Sequence, residues 1–439
     1  MIVEPGIEQD TFKFLLEEYL AQINRNDALQ KIRAKAWDHF LALGLPTRQT
    51  EVYRYVKLRN LFSQNYQLAN EISIKHEEIA SSIYPECRQS VLVFVNGYFA
   101  PTLSNTSALP SKVVTSSLTD AIRTYGMFLN NFWAKAIKEE TDPFAALNTA
   151  LHPNGIFIYI PPKTVVETPI QILNVISGNN QLLLPHLSVF VGAQSQINVI
   201  SSQKVLSSSG YFVNQVTEIM LEEDSHVHYT QALCGEHPAS WHLDAFRATL
   251  KQNATLKTVA VTEGSATVRN DYRILLTGEN AEALLNGVLM LSDKREAHTN
   301  IFMDHQAPNC HSYQLFKSVL KDFSRSSFEG KIMVRQLAQK TDAFQLNNNL
   351  LLSDHAHADS KPNLEVFADD VKASHGTTMG QLDEDQLFYM KTRGFPDHEA
   401  KNLLIFGFCE QVIERINIKS LQNEITQRAR GYLTKGDNG

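Results

Sequence analysis

The stretch Leu187-Ser188-Val189-Phe190-Val191-Gly192-Ala193-Gln194-Ser195-Gln196-Ile197-Asn198-Val199-Ile200-Ser201 holds two short runs rich in β-branched residues, separated by a turn-like Gly-Ala-Gln-Ser. Short runs of β-branched or aromatic residues, bounded by Gly, Asn, Ser or Asp, read as strands. The same texture extends in both directions, over residues 155–160, 170–175, 211–221, 227–231, 256–261, 266–276, 283–291 and 326–334. No helix-period segment interrupts them, so the centre of the chain is an all-β domain, either a sandwich or a β-solenoid. No fixed internal repeat chooses between the two. The strand count exceeds the roughly seven to nine of an immunoglobulin-type sandwich, which favours a solenoid.

Helical periodicity flanks this centre. Asp10 can cap a helix carrying Phe12, Leu15, Leu16, Tyr19, Leu20 and Ile23 on one face. A second carries Ala28, Ile32, Ala36, Phe40 and Leu41, and Gly44 with Pro46 stops it. A strand at 91–95 runs into an Asn96-Gly97 turn, and 128–150 reads as helix. After Asp383 the helix period returns. A longer helix from Pro396-Asp397 carries Ala400, Leu403, Leu404, Phe408, Val412, Ile413 and Ile416, and a last one covers 420–433. So wide a stripe is covered either by the chain's own β domain or by a partner protein. The divisions are a mainly helical region 1–150, a β core 151–382 and a C-terminal helical region 383–439.

The chain has 439 residues, 43% of them hydrophobic, and its 40 Lys and Arg against 47 Asp and Glu leave a net charge of −7. That excludes global disorder and removes the field that generic nucleic-acid binding requires. Met1-Ile2-Val3-Glu4-Pro5 lacks the basic start of a leader, and apolar runs such as 91–95 and 403–406 fall far short of the roughly 20 residues that span a bilayer. A cytoplasmic, membrane-free chain is expected. Cys87, Cys234, Cys310 and Cys409 are widely scattered and read as reduced, mostly buried thiols.

Enzyme motifs are missing. Gly330-Lys331 approaches a phosphate loop, but the loop's first glycine would fall on Arg325. His76-Glu77 and His398-Glu399 each lack the second histidine of a zinc helix. His226 and His228 would share one face of a strand, yet Met220 and Ala232 stand where a cupin has glycine and glutamate. A half-exposed strand face is the plainer account. His355, His357 and Asp359 alternate too, in a polar, turn-like context that favours a solvated loop. Cys310 and His311 point to opposite faces. From Glu365 to Gly376, Glu365, Asp369, Asp370 and His375 surround a short apolar strand, either a metal or cluster edge or a polar turn.

Several stretches together resemble one family. They are Ala338-Gln339-Lys340-Thr341-Asp342-Ala343-Phe344-Gln345, then Asn347-Asn348-Asn349-Leu350-Leu351-Leu352-Ser353-Asp354, Lys361-Pro362-x-Leu364-Glu365, Ala368-Asp369-Asp370-Val371-Lys372, Ser374-His375-Gly376-x-Thr378 and Phe388-Tyr389-x-x-x-Arg393-Gly394. Leu43-Gly44-Leu45-Pro46-Thr47-Arg48-x-x-Glu51-x-Tyr53-x-Tyr55, Phe94-Val95-Asn96-Gly97 and Phe144-x-x-Leu147-Asn148 extend the likeness over nearly the whole chain. They resemble the SufB/SufD family of iron-sulfur cluster assembly scaffold proteins, most closely its SufD type. SufB-type chains have a cysteine where Thr341 stands and a His-Glu pair where His375-Gly376 stands, and SufD relatives often have a cysteine at the position of Ala373.

The resemblance implies a right-handed parallel β-helix between two helical regions, which settles the solenoid against the sandwich. It implies a non-catalytic scaffold that pairs with a SufB-type scaffold through the β-helix and with a SufC-type ABC ATPase through the last helices. Phe388, Tyr389, Arg393, Gly394, Leu404 and Phe408 would belong to that docking region. His375 would be an interface or cluster ligand, the iron-sulfur cluster a transient cargo at the SufB interface, and ATP a ligand of SufC alone. A homodimer of the isolated chain is a further reading. The rival from another class is a stand-alone cytoplasmic β-helix metalloprotein or carbohydrate-active protein using His226 and His228.

Overall fold

The computed structural model describes residues 7–23, 28–235 and 237–433. The Met1–Pro5 segment, which lacks a leader's basic start, lies outside them, as do residues 434–439 of the expected C-terminal region. Two sheets face each other as the sides of a parallel β-solenoid of about eight turns. One sheet ends with strands Trp241–Leu250, Thr267–Leu276, Glu296–His305, Arg325–Val334 and His357–Val366; the other with Thr255–Thr262, Glu282–Leu291, His311–Leu320, Thr341–Leu351 and Val371–Gly380.

The repeat that the sequence hides lies in the register. Phe212, Trp241, Thr267, Glu296, Arg325 and His357 form one column, with spacing from 26 residues (Trp241 to Thr267) to 32 (Arg325 to His357). A repeat of variable length and free side-chain identity leaves no fixed period. Its corners are more regular. Asp224, Asn253, Asn280, Asp293, Asn309 and Asp322 each adopt positive φ where the chain passes from one sheet to the other, a conformation that Asn and Asp tolerate best after glycine. They also form a ladder along the corner: Asn253 Nδ2 donates to Asp224 Oδ1 at 2.8 Å, and Asn280 Nδ2 to Asn253 Oδ1 at 3.1 Å.

Inward-facing side chains fill the solenoid from Leu92 to Ala368. Tyr229, Phe246, Tyr272, Phe316 and Phe328 touch in series, with ring centroids 4.9, 5.6, 6.3 and 5.3 Å apart. Such pairs each add about 0.5–1.5 kcal/mol beyond area burial.

Strands Trp241–Leu250, Glu296–His305, His311–Leu320 and Thr341–Leu351 escape the sequence reading because polar residues break their apolar runs, and many of these, among them His242, Asp244, Ser312, Gln314, Gln345 and Asn347, are buried. The helix expected over 128–150 is two, Leu118–Glu139 and Pro143–Leu151. Asp142 divides them as an N-cap, accepting hydrogen bonds from the backbone N–H groups of Phe144 (2.8 Å) and Ala145 (3.1 Å) ahead of Pro143 at the first helical position. Asp10 lies inside helix Ile7–Gln22 rather than capping it. Gly44, at φ 69°, ends helix Gln30–Leu43 as expected, and Asn96-Gly97 turns a hairpin in which Phe94 pairs with Phe99.

Helix Pro143–Leu151 is buried along its whole length against the outer face of the first sheet. Asn148 Nδ2 donates to the carbonyls of Pro185 (2.9 Å) and Asn214 (2.6 Å). A second joint is ionic. Arg269, buried on the solenoid, pairs with Asp142 at 3.0 Å and Asp271 at 2.9 Å and lies 4.1 Å over the Tyr53 ring, while Tyr53 donates to Asp142 at 2.6 Å. Among the described residues no helix is long and apolar enough to cross a membrane.

Candidate functional site at the open last rung

The two ends of the solenoid differ. The first rungs are closed by antiparallel strands, Val114–Ser117 on one sheet and Tyr98–Phe99 on the other. At the far end, His357–Val366 and Val371–Gly380 are the last strands of their sheets and, among the described residues, each is paired on one side only. The helices that follow do not cap them. Asp397–Ile413 returns to the outer face of the second sheet, packing Ile405, Cys409 and Val412 on Val288, Met290, Leu315 and Val319. Two ten-residue strands therefore present free backbone donors and acceptors, the kind of edge that natural proteins normally cover or pair. Pro362 sits on this edge, where a missing N–H is tolerated. Val366, Phe367 and Met379 are exposed beside it.

His375 lies on that last strand and is exposed. Register puts it in the inward column above Gln345 and Gln314. Gln345 Nε2 donates to Gln314 Oε1 at 2.7 Å, and its own Oε1 is buried with no hydrogen-bond partner among the described residues. Thr341 is buried, its hydroxyl donating to the Ala338 carbonyl at 2.9 Å, and Ala373 packs against the core. The carboxylates of the Glu365–Gly376 run do not gather round His375: Glu365 pairs with Lys331 at 2.7 Å, and among the described residues no three His, Cys, Asp or Glu groups converge to hold a metal.

The expected loop at His355 to Asp359 is instead largely strand. His357 and Asp359 share its outer face, with Nε2 3.3 Å from Oδ2, because pairing with Arg325–Val334 overrides a composition poor in strand formers. Lys361, two residues on, pairs with Glu329 at 2.9 Å and with Glu51, whose hydrogen bond holds the ammonium pKa above its ordinary value. The N-terminal region thus reaches the last rung, a link between distant parts of the chain that sequence reading missed.

Helix Glu384–Thr392, capped by Asp383 (Gln386 N–H to Oδ1, 2.9 Å), buries none of its residues. Phe388 and Tyr389 are 69% and 58% exposed, and Arg393 stacks on the Tyr389 ring at 5.1 Å before Gly394, at φ 92°, reverses the chain. Leu404 and Phe408 are half-buried; Phe408 accepts a backbone hydrogen bond from Lys317 Nζ at 2.8 Å. Most of the long helix's apolar stripe is covered by the chain's own solenoid, while Phe388 and Tyr389, on the helix before it, are uncovered.

His226 and His228 do share an outer face. His228 is held neutral by burial and by Lys257, its pKa pushed down to about 4, and no third ligand meets the pair among the described residues. All four cysteines are free; Cys87, Cys310 and Cys409 are buried, and burial pushes the Cys87 and Cys409 thiols up to about 12.

The fold and site define a parallel β-solenoid with one end uncapped, an exposed histidine on its terminal strand and an edge open to another chain. Residues 174–408 match the SUF system FeS cluster assembly SufBD core domain, and residues 8–172 the SufBD protein N-terminal region. The chain belongs to the SufBD family of iron-sulfur cluster assembly proteins. It is 30% identical to a SufBD family protein of Synechocystis over 94% of this chain and 93% of that one. It is 29% identical to SufD of Escherichia coli (90% and 91% covered) and 22% identical to SufB of Bacillus subtilis (92% and 89%).

Proposed function

We propose that this chain is the SufD-type, non-catalytic scaffold subunit of a cytoplasmic Suf assembly. Its last rung pairs with a SufB-type scaffold, and its C-terminal helical region receives a SufC-type ATPase, in which ATP is hydrolysed. The observation that carries this reading is the uncapped edge formed by His357–Val366 and Val371–Gly380. Backbone pairing across it supplies affinity, and alternate side chains supply selectivity. The cluster is cargo, built transiently at that junction. His375 offers one imidazole, a suitable iron ligand, and the remaining donors come from the partner, because Thr341 and Ala373 supply no thiolate. Phe388, Tyr389, Arg393 and Gly394 form the exposed part of the ATPase-docking surface, with Leu404 and Phe408 behind it.

The test is capture. Co-expressed with SufB-type and SufC-type partners under anaerobic conditions, the tagged chain retains both; retention of neither overturns the proposal. His375→Ala is expected to leave the complex intact and reduce the iron and sulfide built on it, and unchanged assembly would assign His375 a structural role. The same edge can accept a second copy when no SufB-type partner is present, which the mass of the isolated chain reads directly.

A further inference from the structure

A second feature lies where the N-terminal segment crosses the outer face of the first sheet. Two adjoining cavities of about 760 and 130 Å³ share Lys57, Glu296 and Arg325 as walls. Arg48, Arg54 and Lys294 complete a set of five cations, against two carboxylates, Glu296 and Asp359. Both carboxylates are engaged: Glu296 with Lys57 and, at 3.7 Å, His298; Asp359 with His357. The Arg48, Lys294 and Arg325 side chains are exposed and make no hydrogen bond or ion pair with the described residues. In a chain of net charge −7, this concave surface is locally positive. At its rim Phe323, 54% exposed, stacks on His355 with centroids 4.7 Å apart and planes 4° from parallel, which leaves a flat ring face open.

We propose that this cleft binds a compact polyvalent oxyanion, of the di- or triphosphate class. Unpaired guanidinium groups bind phosphate oxygens through paired, charge-assisted hydrogen bonds, and Lys294 adds a point charge. The larger cavity falls within the range of small-molecule sites, and its walls come from residues 57–64 and from solenoid rungs between 239 and 357. A ligand that also carries a planar ring would gain stacking on Phe323. The cleft borders the last rung, since His357 and Asp359 on strand His357–Val366 line it; its cations come from other segments, and binding to the isolated chain tests it apart from partner pairing.

Calorimetric titration of the full-length chain with tripolyphosphate at low ionic strength is the test, with ADP as the ring-bearing arm. Saturable binding near one equivalent is expected, weakened at least about tenfold in the Arg325→Ala/Lys294→Ala double variant and unchanged in Lys372→Ala, an exposed lysine that does not line the cleft. Tighter binding of ADP than of pyrophosphate, lost in Phe323→Ala, identifies a ring-bearing ligand; equal binding identifies the phosphate group as the ligand. Absence of saturable binding, or equal weakening in the Lys372→Ala control, overturns the site. Binding of an acidic peptide without any of the three phosphate probes overturns it in favour of a protein partner. All substituted side chains are exposed, and circular dichroism checks that each variant is folded.

Discussion

Replacing Arg269 with methionine removes the charge at the joint between the N-terminal helices and the solenoid while keeping most of the side-chain volume. In the native protein its guanidinium is 3% exposed and touches two carboxylates and one aromatic face. Asp271 survives the change, because Arg247 at 2.8 Å and Asn300 at 2.6 Å still hold it. Asp142 loses its ion-pair partner, keeps the Tyr53 hydroxyl and two backbone N–H groups, and has Arg247 as a remaining, more distant cation. Stripping one partner from a buried ion pair costs about 3–5 kcal/mol. Because Asp142 caps helix Pro143–Leu151, amide exchange in that helix should accelerate by about two to four orders of magnitude. The deficit should also depend on pH. Burial raises the Asp142 pKa and Arg269 opposes that rise. Without Arg269 the folded value climbs well above the unfolded value of about 3.9. A carboxyl with a raised folded pKa stabilises the fold at low pH and loses that contribution as pH rises through the folded value. The variant should therefore fall further behind the parent at about pH 8 than at about pH 5 in denaturant titrations. A loss under about 1 kcal/mol with no pH trend would refute the account, since an exposed pair behaves that way.

Three other outcomes are expected. Phe388→Ala combined with Tyr389→Ala should change stability by less than about 0.5 kcal/mol, because neither ring is buried, and yet weaken ATPase capture at least about tenfold in a pull-down titration. Gly287→Ala should destabilise by about 1–3 kcal/mol in thermal unfolding, because the new methyl would sit 2.5 Å from the Phe316 ring inside the solenoid, whereas Gly407→Ala meets nothing within 4 Å and should not. Cys87 and Cys409 should resist a thiol reagent at neutral pH until the chain is denatured, as burial holds both thiols up near 12.

Local chemistry by itself determined much of this protein. The run Val91–Val95, the Asn96-Gly97 hairpin, the stop at Gly44, helix Asp397–Ile413 and the shared face of His226 and His228 all follow from short-range periodicity and turn residues, and the structure bears each out. The motifs from Ala338 to Gly394 pointed to the family without any spatial information. Tertiary structure decided what depends on long-range pairing. Strand His357–Val366 exists because Arg325–Val334 offers it a ladder, although His-Ala-Asp-Ser-Lys-Pro carries no strand signal. The last rung is open because helix Asp397–Ile413 finds its apolar cover on the second sheet rather than over the solenoid's end. Glu51 meets Lys361, and Arg48 meets Arg325 across the cationic cleft, only because the solenoid brings together segments some three hundred residues apart. Periodicity reports which face of an element is buried; it carries no information on which distant segment covers that face, or on which edge is left uncovered.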